Sequence, residues 1–332
     1  MSSHEIIIGL AGVLFTAAPI VFATIGETFT ERAGVINLSV NGTILLSAMS
    51  SFAVAVSTHS IFWGFVAGIV VGMGVALTVA FSSIALKQSQ VAVGFVLTLM
   101  TRDLAYFLGN PYMGLQGPRV HNWPIPVLSK IPVLGTLLFN FDPLTYFSFI
   151  LIIAAWWWIF HTRPGLILRA IGERPAAAYV RGAPVNKLRY LYTALGGALV
   201  GLAGPTYSLS VKAGWKGTIS GLDGIGWIAL ALTIFGGWDP VRGAFGAYLF
   251  ALLQWLGLVL QPYMPNIPSQ VLQVAPFPLM ILTLLFVNIG NTEWVKRTLA
   301  GLPPDARRWA TRILRWMQVV PPSALGTTFE EE

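Results

Sequence analysis

Asn37, Ser39 and Asn41 occupy every second position of Glu31-Arg-Ala-Gly-Val-Ile-Asn-Leu-Ser-Val-Asn-Gly42, and long apolar blocks flank that stretch on both sides. Amides and a hydroxyl donate and accept hydrogen bonds. At this spacing they fit either a broken helix that aims its amides along a solute path or a plain cytoplasmic turn, and they offer no activated nucleophile. Asp223 belongs with them: it precedes a short apolar segment within Gly221–Gly243, which closes in Gly-Gly-Trp-Asp-Pro. It serves either as a helix N-cap or as a solute contact. Arg102 and Asp103 adjoin in another apolar block, where they either pair and snorkel or face the solute.

Reaction chemistry finds no such constellation. The sequence contains no GxxxxGK[ST], HExxH or GxSxG, so it lacks a phosphate-cradling loop, a zinc-protease helix and a nucleophile elbow. His4, His59, His121 and His161 are scattered, and no paired carboxylates are expected within the membrane blocks. With no cysteine, disulfides and thiolate metal sites are out of reach. No catalytic residue, metal site or cofactor is expected.

The elements that must position these polar residues are membrane spans. Of the 332 residues, 55% are hydrophobic and 10% charged, with a mean hydropathy of +0.71. Soluble domains carry about 25% charged residues. The apolar residues also come in blocks near the ~20 residues that a crossing helix needs. Nine are expected: Ile6–Thr24, Val40–Val56, Ile61–Leu86, Val91–Gly109, Pro143–Phe160, Tyr190–Leu209, Gly224–Phe235, Gly243–Leu260 and Val271–Ile289. The seventh is short and glycine-flanked, which fits a half-helix or re-entrant piece. Met1–Glu5 lacks the basic region and cleavage site of a signal peptide, so the first block reads as a retained span. The fold class is therefore all-α: a polytopic transmembrane bundle of about 8–10 spans with broken or short helices.

The net charge of +7 invites a nucleic-acid reading, but the basic residues sit beside the spans, where the positive-inside bias places them. Arg163, Arg169, Arg174, Arg181, Lys187 and Arg189 mark 163–189 as cytoplasmic, and Lys296, Arg297, Arg307, Arg308, Arg312 and Arg315 mark the tail likewise. Four spans separate the two, so the parity agrees. Counting back puts 110–142 outside, Glu27–Arg32 near the inside and the N-terminus outside. Gly64, Gly68 and Gly72 recur every four residues, and Gly197 and Gly201 repeat the spacing, the pattern that lets helix backbones approach closely. Trp156–Trp158 and His161 read as an interfacial aromatic anchor. Asp305–Val319 alternates arginines with Trp309, Ile313, Trp316 and Met317 and reads as an amphipathic helix on the inner leaflet. Residues 1–290 thus form a transmembrane domain and residues 291–332 a cytoplasmic tail.

Within the cytoplasmic segment 169–186, Pro175 opens a run of alanines and Gly182 stops it, which predicts a short rigid helix suited to docking a partner. That segment, the 31–42 stretch and Gly221–Gly243 resemble, in order and spacing from about residue 27 to 290, the permease subunits of ATP-binding-cassette importers. The superfamily is the branched-chain amino acid and simple-sugar one. Thr30–Gly42 is most similar to its nucleoside and simple-sugar branch, which reads close to ERAGVINLG-x-EG. Arg169–Asn186 resembles the cytoplasmic GENP-x-AA-x-x-x-G helix, and Gly221–Gly243 the LD-x-I-A…GG…G region.

The resemblance implies a helical permease like those of vitamin B12-type importers, in a bacterial plasma (inner) membrane. It implies ATP-binding-cassette ATPase subunits, a second and often paralogous permease subunit, and an extracytoplasmic solute-binding protein as partners, alongside membrane lipid and no nucleic acid. The implied docking residues are Gly172, Glu173, Pro175, Ala176, Ala177, Arg181 and Gly182; the expected translocation path is lined by Asn37, Ser39, Asn41 and Asp223. The chain departs from the pattern at Asn41, where glutamate is common, and at Arg174, where asparagine is usual. A branched-chain amino acid permease and a stand-alone channel or secondary transporter are the alternatives.

Overall fold

The computed structural model describes residues 3–263, residue 278 and residues 320–330. Its helices are α1 (Ser3–Arg32), α2 (Val40–Thr58), α3 (Ile61–Ile84), α4 (Gln90–Gly109), α5 (Leu134–Leu138), α6 (Pro143–His161), α7 (Arg163–Glu173), α8 (Pro175–Val180), α9 (Val185–Pro205), α10 (Ile225–Phe235) and α11 (Pro240–Leu260). Seven helical stretches among the described residues are long and apolar enough to cross a bilayer, and α10 is a shorter apolar helix. The protein is an all-α, multi-pass bundle. The span expected at Val271–Ile289 and the interfacial helix expected at Asp305–Val319 lie outside the described residues.

Local chemistry sets the helix ends. The Asp142 carboxylate accepts from the Thr145 amide at 3.0 Å and opens α6. The Thr162 hydroxyl accepts from Gly165 at 3.1 Å and opens α7, and Asp239 accepts from Val241 and Arg242 and opens α11. Pro175 starts α8, and Gly182, at φ +87°, stops the chain in the left-handed region where glycine is unstrained.

α1 corrects two expectations. It runs to Arg32 instead of ending at Thr24, and its last two turns carry Glu27 and Glu31, both buried, so a carboxylate pair does lie within an apolar block. Polar residues continue the helix because each finds a partner inside. Thr28 and Thr30 return their hydroxyls to the carbonyls of Thr24 and Gly26, Glu27 accepts from Asn37, and Glu31 accepts from the Trp238 indole. Residue-by-residue hydropathy misses this compensation.

Small residues bring the helices together. A Cβ at Gly72 would lie 2.4 Å from the Gly197 carbonyl oxygen and from the Gly201 Cα, so only glycine admits the α3–α9 contact. Gly26 meets the Gly196 carbonyl in the same way, joining α1 to α9. Along α4, Gly94 packs on Leu38, Thr98 on Gly42, and Gly109 on Met49 and Trp215. α2 and α4 therefore run side by side in the same direction, and Asn41 is level with the middle of α4.

α10 starts at that level, because Gly226 packs directly on the Asn41 backbone. After α9, a π-helical turn at Thr206–Val211 leads to Trp215 at the C-terminal end of α4. The chain then turns back along the bundle through 212–224 as a limb with one short 3-10 turn, and α10 completes the return to Trp238 beside Glu31. Eleven residues of helix span about 16 Å, roughly half of a ~30 Å hydrocarbon core. The seventh sequence segment is a half-helix.

Candidate functional site

The start of α10 is where buried polar chemistry concentrates. A half-helix beginning inside the bundle leaves unpaired N–H groups far from bulk water, and these need acceptors. Asn41, on α2, supplies one: its side-chain oxygen accepts from the amides of Gly224 at 2.8 Å and Gly226 at 3.2 Å. Its NH2 donates to one Asp223 oxygen at 2.8 Å. The other Asp223 oxygen accepts from Arg102 Nε at 2.9 Å and from the Tyr106 hydroxyl at 3.2 Å, both on α4. The Arg102 guanidinium also lies over the Tyr106 ring, 5.6 Å from its centre.

One carboxylate thus joins α2, α4 and α10. The side chains of Arg102 and Asp223 remain 39% and 35% exposed, whereas Asn41 is 2% exposed. A charged pair that is one-third open within a membrane bundle is costly to expose to hydrocarbon. Arg102 has Asp103 only at 3.9 Å, so its main partner is the remote Asp223, which neighbour spacing could not indicate.

Asn37 and Ser39 occupy the break between α1 and α2 and are fully buried. Asn37 donates to Glu27 at 3.0 Å and accepts from the Ser39 amide and hydroxyl at 3.2 and 2.5 Å. Asn37 thus ties the break to Glu27 on α1, whose second carboxylate oxygen is buried without a hydrogen-bond partner.

At the other end of α10, Arg32 donates from Nε to the Trp238 carbonyl at 2.9 Å while Glu31 holds the Trp238 indole. The Arg32 guanidinium lies 5.3 Å from the centre of the Phe160 ring, and a Cβ on Gly172 would come within 2.1 Å of the Arg32 carbonyl. The floor of α10 therefore rests, through Arg32, on α7. Of the expected docking residues, Gly172 is buried there, and Glu173 is exposed but accepts from Ser323. Ala176, Ala177, Arg181 and Gly182 are exposed on or beside α8, next to Tyr179 and to Val180, which is 86% exposed. α7 had no counterpart among the expected helices. Tyr106 was also missed, although its place four residues after Arg102 puts it on the same helical face. Among the described residues no group of three or more His, Asp or Glu side chains is placed to hold a metal ion.

The family described as branched-chain amino acid transport system / permease component matches residues 9–287, and the chain belongs to that family. It is similar to the nucleoside ABC transporter permease protein NupC of Lactococcus lactis, 32% identical over 83% of this chain and 90% of the relative. The guanosine ABC transporter permease protein NupQ of Bacillus subtilis is also 32% identical, over 82% and 89%. A protein of Haloferax volcanii provisionally named a glucose ABC transporter permease is 35% identical over 75% and 78%. No solved structure matches.

Proposed function

We propose that the chain is the membrane-spanning subunit of an ATP-binding-cassette importer in the plasma membrane, forming the translocation path for a nucleoside or simple sugar. The observation that carries this reading is the half-helix α10. Its inner start holds an open Asp223–Arg102 pair beside Asn41, and its floor rests through Arg32 on the cytoplasmic α7–α8 pair. Asp223 and Arg102 offer an acceptor and donors to the hydroxyls of an uncharged solute, and Tyr106 adds an aromatic face. Asn41 fixes the start of α10, while Asn37 and Ser39 brace the break before α2.

The sequence has no phosphate-binding loop, so energy comes from ATPase subunits that dock on α7–α8 through Glu173, Pro175, Ala176, Ala177, Arg181 and Gly182, with Gly172 seating the helix. A second, paralogous permease covers the open side of Arg102, and an extracytoplasmic binding protein delivers the solute. The names of the nucleoside and glucose relatives support that cargo class over branched-chain amino acids, and competition of labelled uptake by each class separates them.

The test of docking is co-purification of the tagged chain with its co-expressed ATPase, comparing wild type with Val180→Asp/Arg181→Ala. The wild type retains the ATPase and the variant loses at least 90% of it. Equal retention overturns the docking assignment, and no retention by the wild type overturns the importer reading.

A further inference from the structure

Residues 320–330 lie across the cytoplasmic end of the bundle without forming a helix or a strand, so their backbone groups need partners elsewhere. They find them on three separate elements. The Ala324 amide donates to the Gly172 carbonyl at 2.9 Å, at the end of α7. The Gly326 amide donates to the Gly34 carbonyl at 3.0 Å, in the break between α1 and α2. On α9, Arg189 donates to the Thr327 carbonyl at 2.7 Å and Asn186 to the Phe329 carbonyl at 3.4 Å.

Side chains add three more ties. Ser323 donates from its amide and its hydroxyl to Glu173, the Phe329 ring meets Tyr179 of α8 edge-on at 5.8 Å, and Glu330 pairs with Lys87 in the α3–α4 loop. The hydrogen-bonded Lys87 ammonium holds the Glu330 carboxyl below the usual carboxylate range. The fit is specific. A Cβ on Gly34 would come within 2.9 Å of Arg189 and 3.2 Å of the Ala324 carbonyl, and Gly326, at φ +77°, packs on Ile36. Arg189 is fully buried, and Thr327 is its one hydrogen-bond acceptor among the described residues. A buried guanidinium without that acceptor is costly.

We propose that residues 320–330 are a clasp that fixes α7 and α8 against α1 and α9, and so form one wall of the surface on which the cytoplasmic partner docks. The proposal rests on the docking role given to α8. The clasp covers Gly172 and ties one oxygen of Glu173, whose side chain stays exposed beside the α8 face from Ala176 to Arg181 on which the partner docks. Glu330 and Lys87 remain more than half exposed.

Native-state proteolysis tests the clasp apart from any partner, because cleavage requires local opening of the segment. Arg174 precedes proline and resists trypsin, so Arg181–Gly182 is the reporting bond. In inside-out vesicles holding the full-length chain, trypsin is compared on wild type, a deletion of residues 320–332, and Gly326→Val, which strains the clasp backbone and its seat on Ile36. Both variants are expected to be cut after Arg181 at least tenfold faster and to bind the ATPase at least tenfold more weakly, with unchanged elution in detergent. Cleavage within twofold of wild type in Gly326→Val and in whichever deletion protein is recovered overturns the clasp. Faster cleavage with undiminished ATPase binding overturns its place in the docking surface. A wild type that binds no ATPase refutes the importer reading and leaves the cleavage result to decide the clasp.

Discussion

Replacing Asn41 by alanine removes three hydrogen bonds at one point. The amides of Gly224 and Gly226 lose their acceptor and Asp223 loses a donor, in a site where residue 41 is 2% exposed. Each buried donor left unpaired costs roughly 1–3 kcal/mol, and removing a capping side chain from a helix costs about 0.5–2 kcal/mol. These figures overlap, since the capping bonds are the same bonds. A total of about 3 kcal/mol is reasonable, which shifts the opening equilibrium of the first turn of α10 by about two orders of magnitude.

Hydrogen–deuterium exchange of the detergent-solubilised protein reads that equilibrium directly. Amides 224–228 of Asn41→Ala are expected to exchange about 100-fold faster, while those in the α3–α9 contact stay unchanged. Solute uptake falls with them, because the start of α10 positions the proposed solute contacts Asp223 and Arg102. Asn41→Asp separates the two roles of the amide: it keeps an acceptor for the backbone but sets a second carboxylate against Asp223, and like charges at that distance repel. Its protection falls between wild type and alanine. Exchange within threefold of wild type in Asn41→Ala would refute the reasoning, since the half-helix would then not depend on this cap.

Two further changes probe the frame. Gly72→Ala places a methyl within 2.4 Å of α9 and should destabilise the bundle by about 1–3 kcal/mol, whereas Gly74→Ala, with nothing within 4 Å, should be neutral; equal thermal midpoints for both would contradict the packing argument. Trp238→Phe leaves the buried Glu31 carboxyl without its donor and should cost roughly 1–3 kcal/mol, read as a lower thermal midpoint; an unchanged midpoint would remove Trp238 from the floor of α10.

The spans were legible because block hydropathy is a local property, and α2, α3, α4 and α6 begin or end within a few residues of expectation. The α8 helix was legible from Pro175 and Gly182, which act on their own backbone. The glycine spacings also announced a close helix contact, although not which helices would meet. What stayed hidden was long-range pairing. Asn41 and Asp223 are 182 residues apart, Arg102 and Asp223 are 121 apart, and Glu31 and Trp238 are 207 apart. The polar end of α1 reads as a loop until those partners are known. The clasp was equally invisible, because its ties depend on where Gly34, Gly172 and Arg189 come together. Asn41 itself was singled out as a departure from the family pattern. Its geometry gives that departure a physical content: an amide can accept from two backbone amides and donate to Asp223 at once, which a glutamate carboxylate cannot.

Vectorial uptake in proteoliposomes tests the division of labour between this chain and an ATPase most directly. Labelled nucleoside or sugar is followed with the chain alone, then with the second permease, the ATPase, the binding protein and ATP together. No movement is expected by the chain alone, and ATP-dependent accumulation is expected by the full assembly. Passage of solute through the chain alone, without ATP, would contradict it and establish a stand-alone channel or secondary transporter.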